Sequence, residues 1–191
     1  MRRAHGEIRE GAIERSEEIL AAEGLEAVTA RRVAGAIGVS VGTLYNVFGH
    51  LDGLVRAVNR RTMARLRGRL SDALVAEASS KAEDRLIALA LAYFDFAREN
   101  PALWDALFRH RMQTPPEVAV EEEFSEMTEI LAEATGRQVP SEALLALWAA
   151  THGVVELTMT RRLPEASVAD PRRFLEIIVR TGARGLAAER G

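Results

Sequence analysis

The side chains best suited to work on a partner lie between Gly38 and His50, in the run GVSVGTLYNVFGH. Ser40, Val41, Gly42 and Thr43 are short, so a helix starting there lets its backbone N–H groups approach a phosphate oxygen closely. Tyr45 can place its hydroxyl on a phosphate while its ring packs. Asn46 can make two hydrogen bonds to an adenine edge, a pairing worth about 1–3 kcal/mol of discrimination. Val41 suits a thymine methyl group. This is the chemistry of reading a duplex edge rather than of breaking a bond.

Such side chains act only if a rigid frame presents them. Leu44 and Phe48 fall on the opposite side of the same short helix and read as core. Ser40 is placed to cap that helix and Gly49 to end it. Upstream, Thr29 is placed to cap a helix buried through Val33, Ala34 and Ile37, and Gly38 sits where a left-handed helix end is needed. Two short helices joined by a glycine turn, the second carrying the polar edge, make a helix-turn-helix. A first helix is expected from about Gly6 to Ala22, ended by Gly24. After His50 a long fourth helix follows, marked by Leu51, Leu54, Val55, Val58, Leu66 and Leu70.

These residues carry a family likeness. Gly24-Leu25, Val28-Thr29, Arg31, Val33-Ala34, Ile37-Gly38-Val39-Ser40, Gly42-Thr43-Leu44-Tyr45, Phe48 and Leu54 resemble the N-terminal domain of TetR-family transcriptional regulators. The likeness covers about the first 60 residues and is most specific from Gly38 to Phe48. It implies a double-stranded DNA operator as partner, with Thr29 and Arg31 as contacts beside Ser40, Val41, Gly42, Thr43, Tyr45, Asn46 and His50. One departure stands out. The family usually has a lysine at the start of the fourth helix, after a Ser or Asn cap; here those two places hold Leu51 and His50.

Beyond the polar patch from Glu77 to Asp84, five more helices are expected. The eighth spans residues 141–163, stopped by Pro164, and is apolar on most faces; the ninth spans residues 171–188. Trp148, His152 and Gly153, with Asn100-Pro101 and Trp104, are similar to the Trp-His-Gly C-terminal subclass of TetR-like regulators. Phe94, Trp104, Phe108, Phe124, Met127, Trp148, His152 and Met159 are large or polar groups that can converge on a small-molecule effector, itself largely apolar. The same stripe would equally make a plain core. A homodimer is expected through helices 141–163 and 171–188, where Gly182, Ala183 and Gly185 allow close approach.

The expected fold is therefore all-α, of about nine helices. A three-helix DNA-binding domain would occupy residues 1–50, and a helical ligand-binding and dimerisation domain residues 51–191, with 51–76 as connector. The charge split agrees. Residues 1–69 hold 12 arginines against 8 acids, a balance of +4, while residues 70–191 hold 13 basic against 20 acidic residues, a balance of −7. A basic end on an acidic body suits an anionic partner at that end. Cysteine is absent, which removes disulfides and thiolate metal sites. No apolar run reaches the length of a membrane span, and no signal peptide is visible, so a cytoplasmic location is expected. No cofactor is implied. Two other readings stay open: a helical dimer that has lost DNA binding and acts through protein contacts, and an enzyme. Against the enzyme, there is no GxGxxG, no HExxH, and the four histidines are scattered.

Overall fold

Apolar residues recurring at three- and four-residue steps, punctuated by glycine and proline, give helix throughout the described residues. The structure, a computed structural model, describes residues 2–109, 117–136, 139–163 and 170–188. These form nine α-helices and one 3-10 turn (Leu25–Ala27), with no strand among the described residues. The helices are α1 (Arg2–Glu23), α2 (Ala30–Ala36), α3 (Val41–Phe48), α4 (Leu51–Ala76), α5 (Ala82–Glu99), α6 (Pro101–Arg109), α7 (Glu117–Thr135), α8 (Ser141–Met159) and α9 (Pro171–Ala188). The protein is all-α.

Two helix boundaries differ from expectation. The first helix begins at Arg2 rather than Gly6, so Arg2 and Arg3 are helical and not a loose arm. The eighth ends at Met159 rather than Leu163. Its stop is local: Arg161 takes a left-handed backbone (φ 53°), its N–H bonds Thr158 O at 3.0 Å, and Arg162 N–H bonds Leu157 O at 2.8 Å. Those two bonds close the last carbonyls before the chain reaches Pro164. The residues expected to interface through helix 141–163 are thus helical only to 159.

Contacts divide the chain into two compact units: Met1–Arg65 with Asn100–Thr114, and Leu66–Glu99 with Pro115–Gly191. Helix α4 is continuous across the Arg65–Leu66 division. In the first unit, Ala12, Leu20, Val33, Leu44 and Leu54 bury a core shared by α1 to α4, and Ala106 of α6 belongs to it. Asn59 Nδ2 donates to Ala106 O at 3.0 Å, which ties α6 to α4 there. In the second unit α5 packs on α7, α8 and α9. Arg172–Asp95 and Arg180–Glu83 (both 2.5 Å) pair α9 with α5, and Arg69 grips Glu99 with two bonds of 2.9 and 3.0 Å. Half-exposed pairs of this kind set register more than stability.

Candidate nucleic-acid interface

The turn between α2 and α3 is built to hold α3 still. Gly38, at φ 71°, lets Val39 N–H reach Ala34 O at 2.9 Å and Gly38 N–H reach Gly35 O at 3.3 Å. This pair of bonds is the helix-ending motif that a left-handed residue permits. Thr29 Oγ1 accepts from Arg32 N–H at 3.3 Å and caps α2; Ser40 Oγ accepts from Thr43 N–H at 3.0 Å and caps α3. Ser40 and Thr43 hydroxyls also lie 2.9 Å apart. Leu44 and Phe48 are buried on the inner side of α3, and the Arg9 guanidinium sits 5.2 Å from the Phe48 ring centroid, pinning α1 over it.

On the outer side, Thr29, Arg31, Ser40, Gly42, Tyr45, Asn46 and His50 are exposed, and Val41 and Thr43 are half-buried. Tyr45 is 39% exposed, the one large aromatic of α3 presented to solvent. Neighbouring Arg32 is committed to Glu23, and the pair holds that carboxyl below its ordinary range. His50 holds the start of α4. Its Nδ1 accepts from Gly53 N–H at 3.2 Å, so the imidazole serves as the cap of α4 that a Ser or Asn would otherwise supply. Gly53 was not singled out by sequence reasoning. A Cβ there would lie 2.0 Å from Phe48 O, so only glycine allows α4 to start this close to the end of α3.

The second unit holds a partly open cavity of about 30 Å³. Of the residues expected around an effector, Met127 and Trp148 line it. His152 stands beside it: its ring stacks on Trp148 at 5.2 Å, and its Nδ1 is 2.9 Å from Tyr93 Oη. Phe94 is buried on α5 and Met159 half-buried at the end of α8, and neither is among the cavity's walls. Trp104 and Phe108 belong to the first unit, where they pack on each other at 4.4 Å with Trp104 fully buried. The Phe124 side chain lies outside the described residues. The remaining walls include Leu86, Leu89, Ala90, Tyr93, Ile130 and Thr151. Their helical spacing on α5, Leu86-Leu89/Ala90-Tyr93, is the signal of these walls in the sequence.

Burial pushes the Tyr93 hydroxyl well above its ordinary value, so it stays protonated beside His152 Nδ1; the nearby Trp148 indole offsets part of that push. Burial also lowers His152, against a smaller opposite pull from Glu156. The folded chain therefore resists the proton that the unfolded chain accepts below the ordinary value of 6.5. More protons bound in the unfolded state means that stability rises with pH, so this contribution is present above 6.5 and lost on acidification toward the lowered folded value. Thermal melts from pH about 7.5 down to about 5 should show a larger drop in Tm for the wild type than for His152→Gln. Equal drops would remove His152 from the account.

A helix-turn-helix head with a polar outer edge, joined through a continuous helix to an all-helical body, defines a class of DNA-binding regulator. A family described as "Bacterial regulatory proteins, tetR family" matches residues 12–58, and one described as "Tetracyclin repressor-like, C-terminal domain" matches residues 86–181, half of the chain. The chain belongs to the tetR family of transcriptional regulators, which are not enzymes, and the enzyme reading falls with that. Solved structures of the same fold include a protein of unknown function from Rhodococcus sp. RHA1 (24% identity, 94% of this chain and 95% of that one, TM-score 0.73). A tetR-family transcriptional regulator from Streptomyces coelicolor is also similar (18% identity, 94% and 80%, TM-score 0.69). So is a TetR transcriptional regulator from Rhodococcus sp. RHA1 (22% identity, 95% and 96%, TM-score 0.64). No curated protein matches the chain. No helix among the described residues is long and apolar enough to cross a membrane.

Proposed function

We propose that this regulator acts in the cytoplasm as a homodimeric repressor, holding a palindromic operator until a small, largely apolar effector enters its second unit. The observation that carries the reading is α3. Its inner side is locked by buried Leu44 and Phe48, while Tyr45 and Asn46 stand outward on a helix whose N-terminus is capped and tied down by Gly38. Ser40, Val41, Gly42 and Thr43 bring backbone N–H groups to phosphate, with Thr29, Arg31 and His50 flanking them. Asn46 is assigned to a base edge and Tyr45 to a phosphate.

Dimerisation is assigned to α8 and α9. Leu145, Leu157 and Ile177 are 39%, 41% and 51% exposed, and a groove of about 520 Å³ between the two helices is lined by Ala143, Ala146, Ala150, Ile178 and Gly185. Gly182 has a different use from close approach by a partner. A Cβ there would lie 2.8 Å from Leu147 Cδ1 of the same chain, so it brings α9 onto α8. The stacked pair Trp148–His152, followed by Gly153, supports placing the second unit in the Trp-His-Gly subclass. Release would be a population shift: effector and operator favour different arrangements of the dimer and oppose each other by one shared factor.

The test is affinity for a selected operator at fixed salt. Asn46→Ala is expected to weaken it by about 1–3 kcal/mol and relax preference at one base pair. Tyr45→Ala should weaken all duplexes nearly alike, as loss of a phosphate contact does. If both variants bind every duplex as the wild type does, α3 is not the reading element. The alternative of a dimer acting through protein contacts alone would then stand.

A further inference from the structure

The first turn of α2 carries two consecutive arginines in different circumstances. Arg31 is exposed and held by no carboxylate among the described residues. Arg32 is gripped by Glu23, the last residue of α1, through two bonds: Nη1 donates to Oε2 at 2.8 Å, and Nη2 donates to Oε1. The Arg32 backbone N–H donates to Thr29 Oγ1 at 3.3 Å, so Arg32 and the α2 cap share one side of the turn. Thr29 and Arg31 are the residues of this helix assigned to DNA. Arg32 belongs to the same edge, and its guanidinium suits a phosphate as well as it suits a carboxylate.

Stability does not account for the pair. Both side chains are well exposed, at 42% and 50%, and ion pairs in that setting contribute little. Each residue is also badly placed for its own helix. Glu23 is an anion at the C-terminal end of α1, and Arg32 is a cation in the first turn of α2; the helix macrodipole disfavours both. Each is well placed only for the other. Their bond lowers the Glu23 carboxyl and raises the Arg32 guanidinium, so both stay ionised. The result is one neutralised arginine on a unit that otherwise gathers positive charge.

We propose that Glu23 is a brake on DNA affinity: it withholds Arg32 from the phosphate backbone, so that α2 offers the duplex one arginine where two are present. A phosphate contact adds affinity for any sequence and carries no base information. Holding one back keeps the complex easier to release and leaves the base readout of α3 untouched. This rests on the reading of the first unit as a DNA-binding head.

The test is binding of the full chain to a random-sequence duplex, titrated from about 50 to about 200 mM salt. Glu23→Gln frees Arg32 at nearly constant shape. It is expected to tighten binding roughly 3- to 10-fold near about 0.1 M salt, and to steepen the slope of log affinity against log salt by about 0.9, the value for one more phosphate. Its melting temperature should stay close to that of the wild type. Glu23→Gln combined with Arg32→Gln separates a freed arginine from the mere loss of a repelling carboxylate, and should return to the wild-type slope. An unchanged slope in Glu23→Gln overturns the proposal, because Arg32 then touches no phosphate or already touches one in the wild type. A double variant that keeps the steeper slope overturns it too, since Arg32 is then not the source. A Glu23→Gln protein that melts well below the wild type and binds less tightly makes the pair a structural tie between α1 and α2, which also overturns it. A wild type that retains no duplex at low salt loses the regulator itself, whereas one that binds but is unaffected by Glu23→Gln loses only this inference.

Discussion

Gly53→Ala should destabilise the first unit by about 2–4 kcal/mol and abolish duplex binding at temperatures where the wild type still binds. The sign is what makes the result informative. Alanine for glycine inside an exposed helix normally stabilises by up to about 1 kcal/mol, because glycine loses more backbone freedom on folding. At Gly53 the new methyl would overlap a backbone oxygen, Phe48 O, at 2.0 Å. A carbonyl at the end of α3 cannot rotate away as a side chain can. Relief would require moving α4 off α3, and with it the His50 cap and the Phe48 packing. Gly68→Ala supplies the control within the same helix: nothing lies within 4 Å of that Cβ, so it should gain about 0.5–1 kcal/mol. Melting curves of the two variants should therefore move in opposite directions. A Gly53→Ala protein as stable as the wild type would show that the α3–α4 joint is not built as described.

Leu145→Glu combined with Ile177→Glu should convert the protein to monomers and lower palindromic operator affinity by at least about 100-fold, with helix content unchanged. Both side chains are already well exposed within one chain, at 39% and 51%, so the fold does not depend on them. A two-fold interface would bury each of them twice, once per copy, and burying unpaired carboxylates there costs several kcal/mol. The affinity loss follows from connection alone. Two linked heads bind with a gain of roughly 10²–10⁴ over one, and monomers forfeit it. Light scattering coupled to gel filtration reads the first part and operator titration the second. A variant that remains dimeric would move the interface away from α8 and α9.

The head was legible because its determinants are local. Thr29, Gly38, Ser40 and Gly49 each fix a helix end within four residues of sequence, and a capped turn needs no knowledge of the rest of the chain. The second unit was less so. Periodicity tells that a face of α6 is buried but not against what. Trp104 and Phe108 were grouped with the effector site by size and hydrophobicity, yet α6 packs into the first unit through Ala106 and the Asn59 bond. The end of α8 was read from Pro164, the strongest breaker in view, while an arginine in a left-handed turn ends it sooner. The Tyr93–His152 bond joins residues on two helices far apart in sequence, and no spacing rule reports it. His50 is expected as a DNA contact at the place of a Ser or Asn cap; its use as the α4 cap through the imidazole depends on a ring rotamer that sequence does not specify.

The central claim is that two copies of this chain present two α3 helices to one duplex. Recovering bound fragments from a random duplex pool at low ionic strength tests it most directly. The account predicts enrichment of an inverted repeat whose half-site centres lie about one helical turn apart, roughly 34–36 Å, or a multiple of it, with recovery falling steeply as salt is added. A pool that emerges without a repeated half-site, or from which nothing is retained, would contradict it.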